Sequence, residues 1–331
     1  METTPHDSVR IAATKEGAEL REFCPGRSPA CLSVIVPAHN ESALLPRCLN
    51  SLLAQDTADV MRVIVIDNGS HDATADIARQ WVPRFADAGH EMLVLQLPQG
   101  NKSAALNAGD AAAVGACRIY LDADVELSPG CVSKVAAAMS DGTGIEMCSP
   151  RMCIAPARAW VTRRYARVWT ALPWVNDDVI GGGFYAVSAA GRRRWKHFPD
   201  VLAEDVFVQA QFRKHERRVL RSEHFLVRLP DGWTDLLRLR TRWLSGNRQI
   251  ARQVQGEWGR AACPLRQRLL ILLRSPSLWP DLPLYFLLNA TAFWRARRRE
   301  ALGTSIWERC RPKLESAAED DAELAPIGPT N

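Results

Sequence analysis

Leu32-Ser-Val-Ile-Val-Pro-Ala-His-Asn-Glu-Ser-Ala-Leu-Leu-Pro-Arg-Cys-Leu-Asn-Ser-Leu-Leu53 changes period half-way, and that change decides the fold. Leu32 to Pro37 is a short β-branched run that ends in a proline. From Glu41 to Leu53 the apolar residues Leu44, Leu45, Cys48, Leu49, Leu52 and Leu53 instead fall at helical spacing. Arg62-Val-Ile-Val-Ile-Asp67 is a second buried strand, stopped by Asn-Gly-Ser-His-Asp72, and Ala73 to Val82 reads as the helix after it. Met92-Leu-Val-Leu-Gln-Leu97, a small-residue helix over Ser103 to Ala113 and Arg118-Ile-Tyr-Leu121 repeat the alternation. Strand, helix, strand, helix implies βαβ units and a mostly parallel, Rossmann-like sheet flanked by helices. Ligands in such sheets bind outside the carboxyl ends of the strands, so the polar residues after each run belong to one prospective crevice.

The fourth run ends in Asp122-Ala-Asp124. Alternate residues of an extended chain share a face, so both carboxylates can leave one strand end toward a hard cation and a phosphorylated ligand. Taken alone, such a pair is as readily a turn former or a helix cap. No glycine-rich loop with a trailing basic residue follows the first strand, which disfavours a nucleotidyltransferase and a dehydrogenase.

Composition sets outer limits. The chain has 331 residues, 47% hydrophobic and 24% charged, with 42 basic against 37 acidic residues. This is an ordinary globular balance that gives no support to a nucleic-acid partner. Nine cysteines, with no Cys-x-x-Cys pair, fit a reducing compartment. Met1 to Asp7 carries no basic region followed by an apolar stretch, so no secretory signal is read and the cytoplasm is the expected location. Residues 1–30, polar and broken by Pro and Gly, read as a flexible arm.

The second half has a different texture. Ten of the eleven tryptophans lie after residue 150, as aromatic platforms or as core. Gly181-Gly-Gly183 reads as a turn into the strand Phe184 to Ser188, and Arg192-Arg-Arg194 as a solvated face. Glu204-Asp205 precedes a helix expected to carry the basic stretch Arg213 to Arg218, followed by a strand over Val219 to Leu229. Arg238, Arg240, Arg242, Arg248 and Arg252 surround Trp243.

Ser33-Val-Ile-Val-Pro-Ala-His-Asn-Glu41, Val65-Ile-Asp-Asn-Gly-Ser-His-Asp72, Gly100-Asn-Lys-Ser-Ala-Ala-Leu-Asn107, Leu121-Asp-Ala-Asp124, Ala203-Glu-Asp205 and Arg242-Trp243 stand in the order found in family-2 glycosyltransferases. The resemblance covers about residues 31–250 and implies a GT-A fold. It also implies inverting transfer of a sugar from a nucleotide-diphosphate donor, helped by Mg or Mn. By resemblance, Asp124 is the direct metal ligand and Asp122 leans toward the ribose or a metal-bound water. Asp67 matches the carboxylate that meets the nucleobase, and Pro37, Ala38, Asn40, Glu41 and Lys102 line the nucleotide pocket. The second family carboxylate there is replaced by Asn68, which leaves the base open.

Asp205 matches the general base, with Glu204 as the second candidate, while spacing alone equally reads this pair as the cap of a helix starting at Val206. Arg242 matches the arginine that meets the diphosphate and Trp243 the tryptophan near the acceptor. Leu239 stands where the family's Gln-x-x-Arg-Trp element has its glutamine, which argues against a processive polymer synthase. Gly246-Asn-Arg248 is read as a flexible loop over the donor. His224 is not assigned to the metal.

The resemblance fixes residues 31–262 as the transferase domain, with a nucleotide half over 31–130 and an acceptor half over 131–262. A helical extension over 263–310 and a disordered acidic tail over 311–331 follow. Leu278 to Trp294 is 17 residues long and contains Asp281 and two prolines, short of the roughly 20 apolar residues a span needs. Followed by Arg295, Arg297, Arg298 and Arg299, it reads either as an interfacial helix against anionic lipid or as a helix packed on the domain. The acceptor is accordingly a glycan hydroxyl or a lipid-linked (polyprenyl phosphate) group. A non-catalytic nucleotide-sugar binder is the reading from a different class.

Overall fold

The computed structural model describes residues 22–23, 32–140, 142–253 and 274–302. Most of the expected arm over 1–30 and all of the tail over 311–331 lie outside them. In chain order the strands are β1 (Glu22–Phe23), β2 (Leu32–Ala38), β3 (Met61–Asn68), β4 (Glu91–Leu97), β5 (Cys117–Leu121), β6 (Glu126–Leu127), β7 (Met147–Ile154), β8 (Phe184–Ser188) and β9 (Arg217–Val227). The α-helices are α1 (Leu45–Leu53), α2 (Thr74–Asp87), α3 (Lys102–Ala112), α4 (Cys131–Ala138), α5 (Trp160–Thr170), α6 (Pro173–Asn176), α7 (Ala189–Arg192), α8 (Glu204–Gln209), α9 (Trp233–Gln253) and α10 (Leu282–Ala301). They form two compact units, one of described residues up to Ser140 with Ala186–Phe198, the other of the remainder.

In the first unit the sheet runs β1-β4-β3-β2-β5. β2 pairs in parallel with β3 and β5, β3 in parallel with β4, and β1 antiparallel with β4. A parallel sheet covered on both faces needs continuous apolar strands rather than alternating ones, and Val34, Ile35, Val36, Val63, Ile64, Val65 and Ile66 are all fully buried. Register aligns Ala38 with Asp67 and Asp67 with Gln96, so the polar strand ends lie in one row. Arg192, expected to be solvated, is buried instead. Its guanidinium pairs with Asp110, which also holds the Tyr120 hydroxyl at 2.9 Å and Arg118 at 2.9 Å, and a charge so enclosed is tolerated because its partners are built in.

In the second unit β7 and β9 run parallel, with a register shift between Pro150 and Arg151. The basic stretch is not helical as expected. The α-helix stops at Gln209, a 3₁₀ turn spans Lys214–Glu216, and Arg217 and Arg218 already open β9 opposite Met147 and Cys148. The Glu216 carboxylate accepts the Arg213 N–H at 2.7 Å and closes that turn.

Gly246-Asn-Arg248 is likewise no loop but the middle of α9. Glycine there gives room, since a Cβ on Gly246 would stand 2.8 Å from that of Ala203. α10 packs on α9 and α5 through Tyr285, Leu288, Ala292 and Ala296, which realises the packed reading for that face. Ahead of it, a 3₁₀ turn over Pro276–Asp281 is pinned by buried Asp281, 3.2 Å from Arg164 and 2.9 Å from Arg167. No described helix is long and apolar enough to cross a membrane.

Candidate active site

The first unit gathers its sequence-nominated residues at the carboxyl ends of β2, β3 and β5 and the start of α3. Past Pro37 and Ala38 the chain turns sharply, with Asn40 at φ 53°. The Asn40 N–H donates to the Ser70 hydroxyl and its side-chain oxygen accepts the His71 N–H, at 2.8 and 2.7 Å. The Glu41 N–H donates to Thr74 Oγ1 at 2.7 Å. Asp72 braces the same turn through Ser42 and Thr74. Burial opposes its charge, but those hydrogen bonds outweigh it and hold the carboxyl below its usual range. The β2 turn is thus sewn to the β3 turn.

Asp67 is buried at 4% exposure, and its carboxylate accepts the Ser70 N–H and the Gln96 amide, each at 3.3 Å. Arg79 in turn donates to Gln96 Oε1. Asn68 Oδ1 accepts the Asn101 N–H at 2.7 Å, and the Asn101 side chain caps α3 by accepting from Ala104 at 2.9 Å. The β3 turn and the 99–101 loop touch. Gly69 has φ 67°, and a Cβ there would lie 2.7 Å from Gly100 N, so only glycine fits. This contact carries the start of α3, where Lys102 Nζ reaches Asp122 Oδ1 at 2.8 Å.

From Leu121 to Leu127 burial alternates: Leu121, Ala123, Val125 and Leu127 are buried, whereas Asp122, Asp124 and Glu126 are half-buried. The stretch is a turn rather than the extended strand end expected, the Val125 N–H donating to the Asp122 carbonyl at 3.2 Å, and the three acids are its half-exposed members. Their joint field is registered beneath them by the enclosed Cys48 thiol, pushed well above its usual range by burial and then by Asp124, Glu126, Asp122 and Glu41. Glu126 is a residue the sequence reading passed over. Its signal was the same period-two spacing, and it lies 3.7 Å from Arg47. Among the described residues no three His, Cys, Asp or Glu side chains form a metal cage. One or two carboxylates beside open space is nevertheless the donor set Mg takes when waters and phosphates supply the rest, so Asp124 and Asp122 fit a cation of that kind.

The second unit places Glu204 and Asp205 in the first turn of α8, whose N-cap is Ala203. Glu204 is buried and Asp205 half-buried. Asp205 Oδ1 accepts the Val206 N–H at 2.8 Å, but the helix begins at Glu204 and not at Val206, so neither acid is the cap that spacing alone allowed. Gly181, Gly182 and Gly183 all have positive φ, and the Gly181 backbone lies directly against the Asp205 side chain. α9 seats this segment from the other side, Gln249 Oε1 accepting the Leu202 N–H at 3.0 Å. Arg242 and Trp243 follow on α9, with the Trp243 ring 5.1 Å from that of Trp169 and the Arg240 guanidinium 5.3 Å from Trp243.

The model of glycosyl transferase family 2 matches residues 33–198, half of the chain. The chain belongs to that family. Among curated family relatives it is similar to glycosyltransferase AglE of Haloferax volcanii, 33% identical over 117 residues covering 35% of this chain and 37% of that one. It is also 27% identical over 184 residues to the uncharacterized glycosyltransferase YibD of Escherichia coli, covering 54% and 50%. The chain thus spans half or less of the length of these two relatives. A mannosyltransferase of Pyrobaculum calidifontis, solved with GDP-Man and Mn2+, superposes with a TM-score of 0.53 over 85% of this chain and 83% of that one, at 19% identity. The likeness is one of fold, and the GT-A architecture expected from the motifs is borne out.

Proposed function

We propose that this glycosyltransferase moves a sugar, with inversion, from a nucleotide-diphosphate donor to an acceptor hydroxyl in glycan or glycoconjugate building, at the cytoplasmic face of a membrane. The observation that carries the donor half is the row Asp122, Asp124 and Glu126, half-exposed beside Lys102 at the strand ends that also hold Asp67. A divalent cation, Mg or Mn, would supply charge to the departing diphosphate when bound. Asp124 is the residue to hold it, with Asp122 alongside. Lys102 adds a fixed cation for phosphate oxygens, and Asp67 accepts a hydrogen bond from the base.

In the second unit Asp205 is the proposed base, taking the proton of the acceptor hydroxyl as the new bond forms, with Glu204 second in line. Arg242 is assigned to the diphosphate and Trp243 to the acceptor. Transfer to a polyprenyl phosphate is the second reading, favoured by the apolar exposed side of α10. A phosphate oxygen is already a nucleophile and needs no base.

Asp205→Asn separates the two in an assay of nucleoside diphosphate release. A fall of about 10²-fold or more supports hydroxyl attack, whereas near-normal turnover sinks it. Release that survives Asp124→Ala and a chelator unchanged would remove the metal assignment.

A further inference from the structure

We propose that the outward face of α10, with Trp279 before it, is the surface by which this protein docks on an anionic lipid bilayer. This deepens the membrane location proposed above and rests on it. Away from the buried stripe, exposed apolar residues recur about two turns apart: Phe286 and Leu287, then Phe293 and Trp294 and, just past the helix, Leu302. Leu287 and Trp294 are each 61% exposed and Trp279 is 51% exposed. A helix lying on a soluble domain ordinarily turns polar residues to water, and this one turns large apolar ones along its first three turns.

Charge completes the surface. Basic residues are absent from Leu282 to Trp294 and then crowd at Arg295, Arg297, Arg298 and Arg299. The Arg297 guanidinium lies 5.8 Å from the Phe293 ring and that of Arg298 5.5 Å from Trp294, so cations border the apolar stripe. Trp294, Arg295, Arg298, Arg299 and Leu302 line an open, mostly apolar cleft of about 220 Å³. Glu300, the neighbouring acid, is engaged by Arg248 and Arg252, which leaves the outward field positive.

Aromatics at the boundary with arginines at the headgroups is the composition of a helix lying in a membrane interface. No described helix can span the bilayer, so docking is along the surface.

The test is sedimentation of the full chain with vesicles of phosphatidylcholine, alone or mixed with phosphatidylglycerol, at low salt. Wild type should partition at least about tenfold more strongly to the mixed vesicles. Arg297→Gln and Arg298→Gln should each cost about fivefold on mixed vesicles and little on neutral ones. Phe293→Ser with Trp294→Ser should cost about tenfold or more on mixed vesicles. All are exposed positions, so the melting temperature should hold.

Equal partition to both vesicle types, or partition unmoved by the aromatic pair, overturns the proposal. A dimer that Phe293→Ser and Trp294→Ser dissolve without loss of vesicle binding also overturns it, and marks the face as a contact between copies. Vesicle binding that persists through every variant would leave the location standing and remove only this surface. Nucleoside diphosphate release, measured without vesicles, reports on the chemistry separately.

Discussion

Replacing Gly181 by alanine tests whether the position of Asp205 matters. Gly181 sits at φ 78°, and a Cβ there would overlap the Asp205 Cβ and Oδ2 and stand 2.7 Å from its carboxyl carbon. Neither group can simply yield, because Asp205 is tied to Val206 N–H at 2.8 Å and its helix is seated by α9. The left-handed backbone costs an L-residue about 1–2 kcal/mol, a fall in melting temperature of a few degrees for a chain of this size. Relieving the overlap moves the carboxylate by roughly 1 Å, a displacement that costs catalysis about 10²-fold.

Gly182→Ala is the matched control. Its φ of 49° carries the same backbone penalty, but its Cβ meets Met152 Sδ at 3.0 Å and Ile180 at 3.8 Å, not Asp205. With nucleoside diphosphate release measured from a nucleotide sugar that wild type turns over, Gly181→Ala should lose about 10²-fold while Gly182→Ala stays within a few-fold. The melting temperature should fall by a few degrees in Gly182→Ala and further in Gly181→Ala, which carries the overlap with Asp205 as well. Wild-type turnover in Gly181→Ala, or an equal loss in both variants, would refute the assignment of Asp205.

Arg192→Met leaves Asp110 with Arg118 and the Tyr120 hydroxyl but removes its second guanidinium and the donor to the Trp195 and Lys196 carbonyls, and urea unfolding should show a loss of about 1–3 kcal/mol. Lys102→Met breaks only a half-exposed pair with Asp122, so stability should shift by less than about 1 kcal/mol. Donor affinity, followed by titration with UDP or GDP and Mn, should fall about tenfold if Lys102 meets the diphosphate. His90 gives a pH signature. Burial pulls its pKa below 6.5, and its Nδ1 accepts the Met61 N–H, which only the neutral ring can do. Above about pH 6.5 the ring is neutral folded or unfolded. Below it the unfolded chain takes up the proton first, so stability should decline as pH falls through this window. Thermal melts of wild type and His90→Asn across pH 5 to 7.5 should show that component only in wild type.

What could be read from the sequence was whatever rests on local pattern. The aliphatic runs of β2 to β5 declare themselves because a doubly covered parallel strand leaves no room for polar residues, and their ends were displaced by about one position. The carboxylates Asp67, Asp122 and Asp124 were legible because they stop such runs. Residues whose role depends on distant packing were not. Gly246 carries the local signal of a loop, but α9 needs it to approach Ala203. Arg192 reads as solvated until Asp110, 82 positions earlier, is seen to meet it. Asn101 and His39 hold the two loops at these strand ends, His39 Nδ1 lying 2.7 Å from the Asn68 carbonyl, and neither has a spacing that announces this.

Asn68 shows how a departure from the family pattern can be structural before it is functional. Asp67 and Asn68 are 4% and 6% exposed, and a second carboxylate beside the first, without a cation between them, would add like-charge repulsion in a poorly solvated place. The amide avoids that while still accepting the Asn101 N–H, the bond that sets the start of α3 and with it Lys102. One acceptor carboxylate therefore remains for the base. Such a group accepts an N–H, which the rings of uracil and guanine and the exocyclic amines of cytosine, adenine and guanine all present. With Asp67 in the role proposed, its charge therefore does not choose the base, and that choice passes to the neighbours that hold Asp67, Gln96 and through it Arg79.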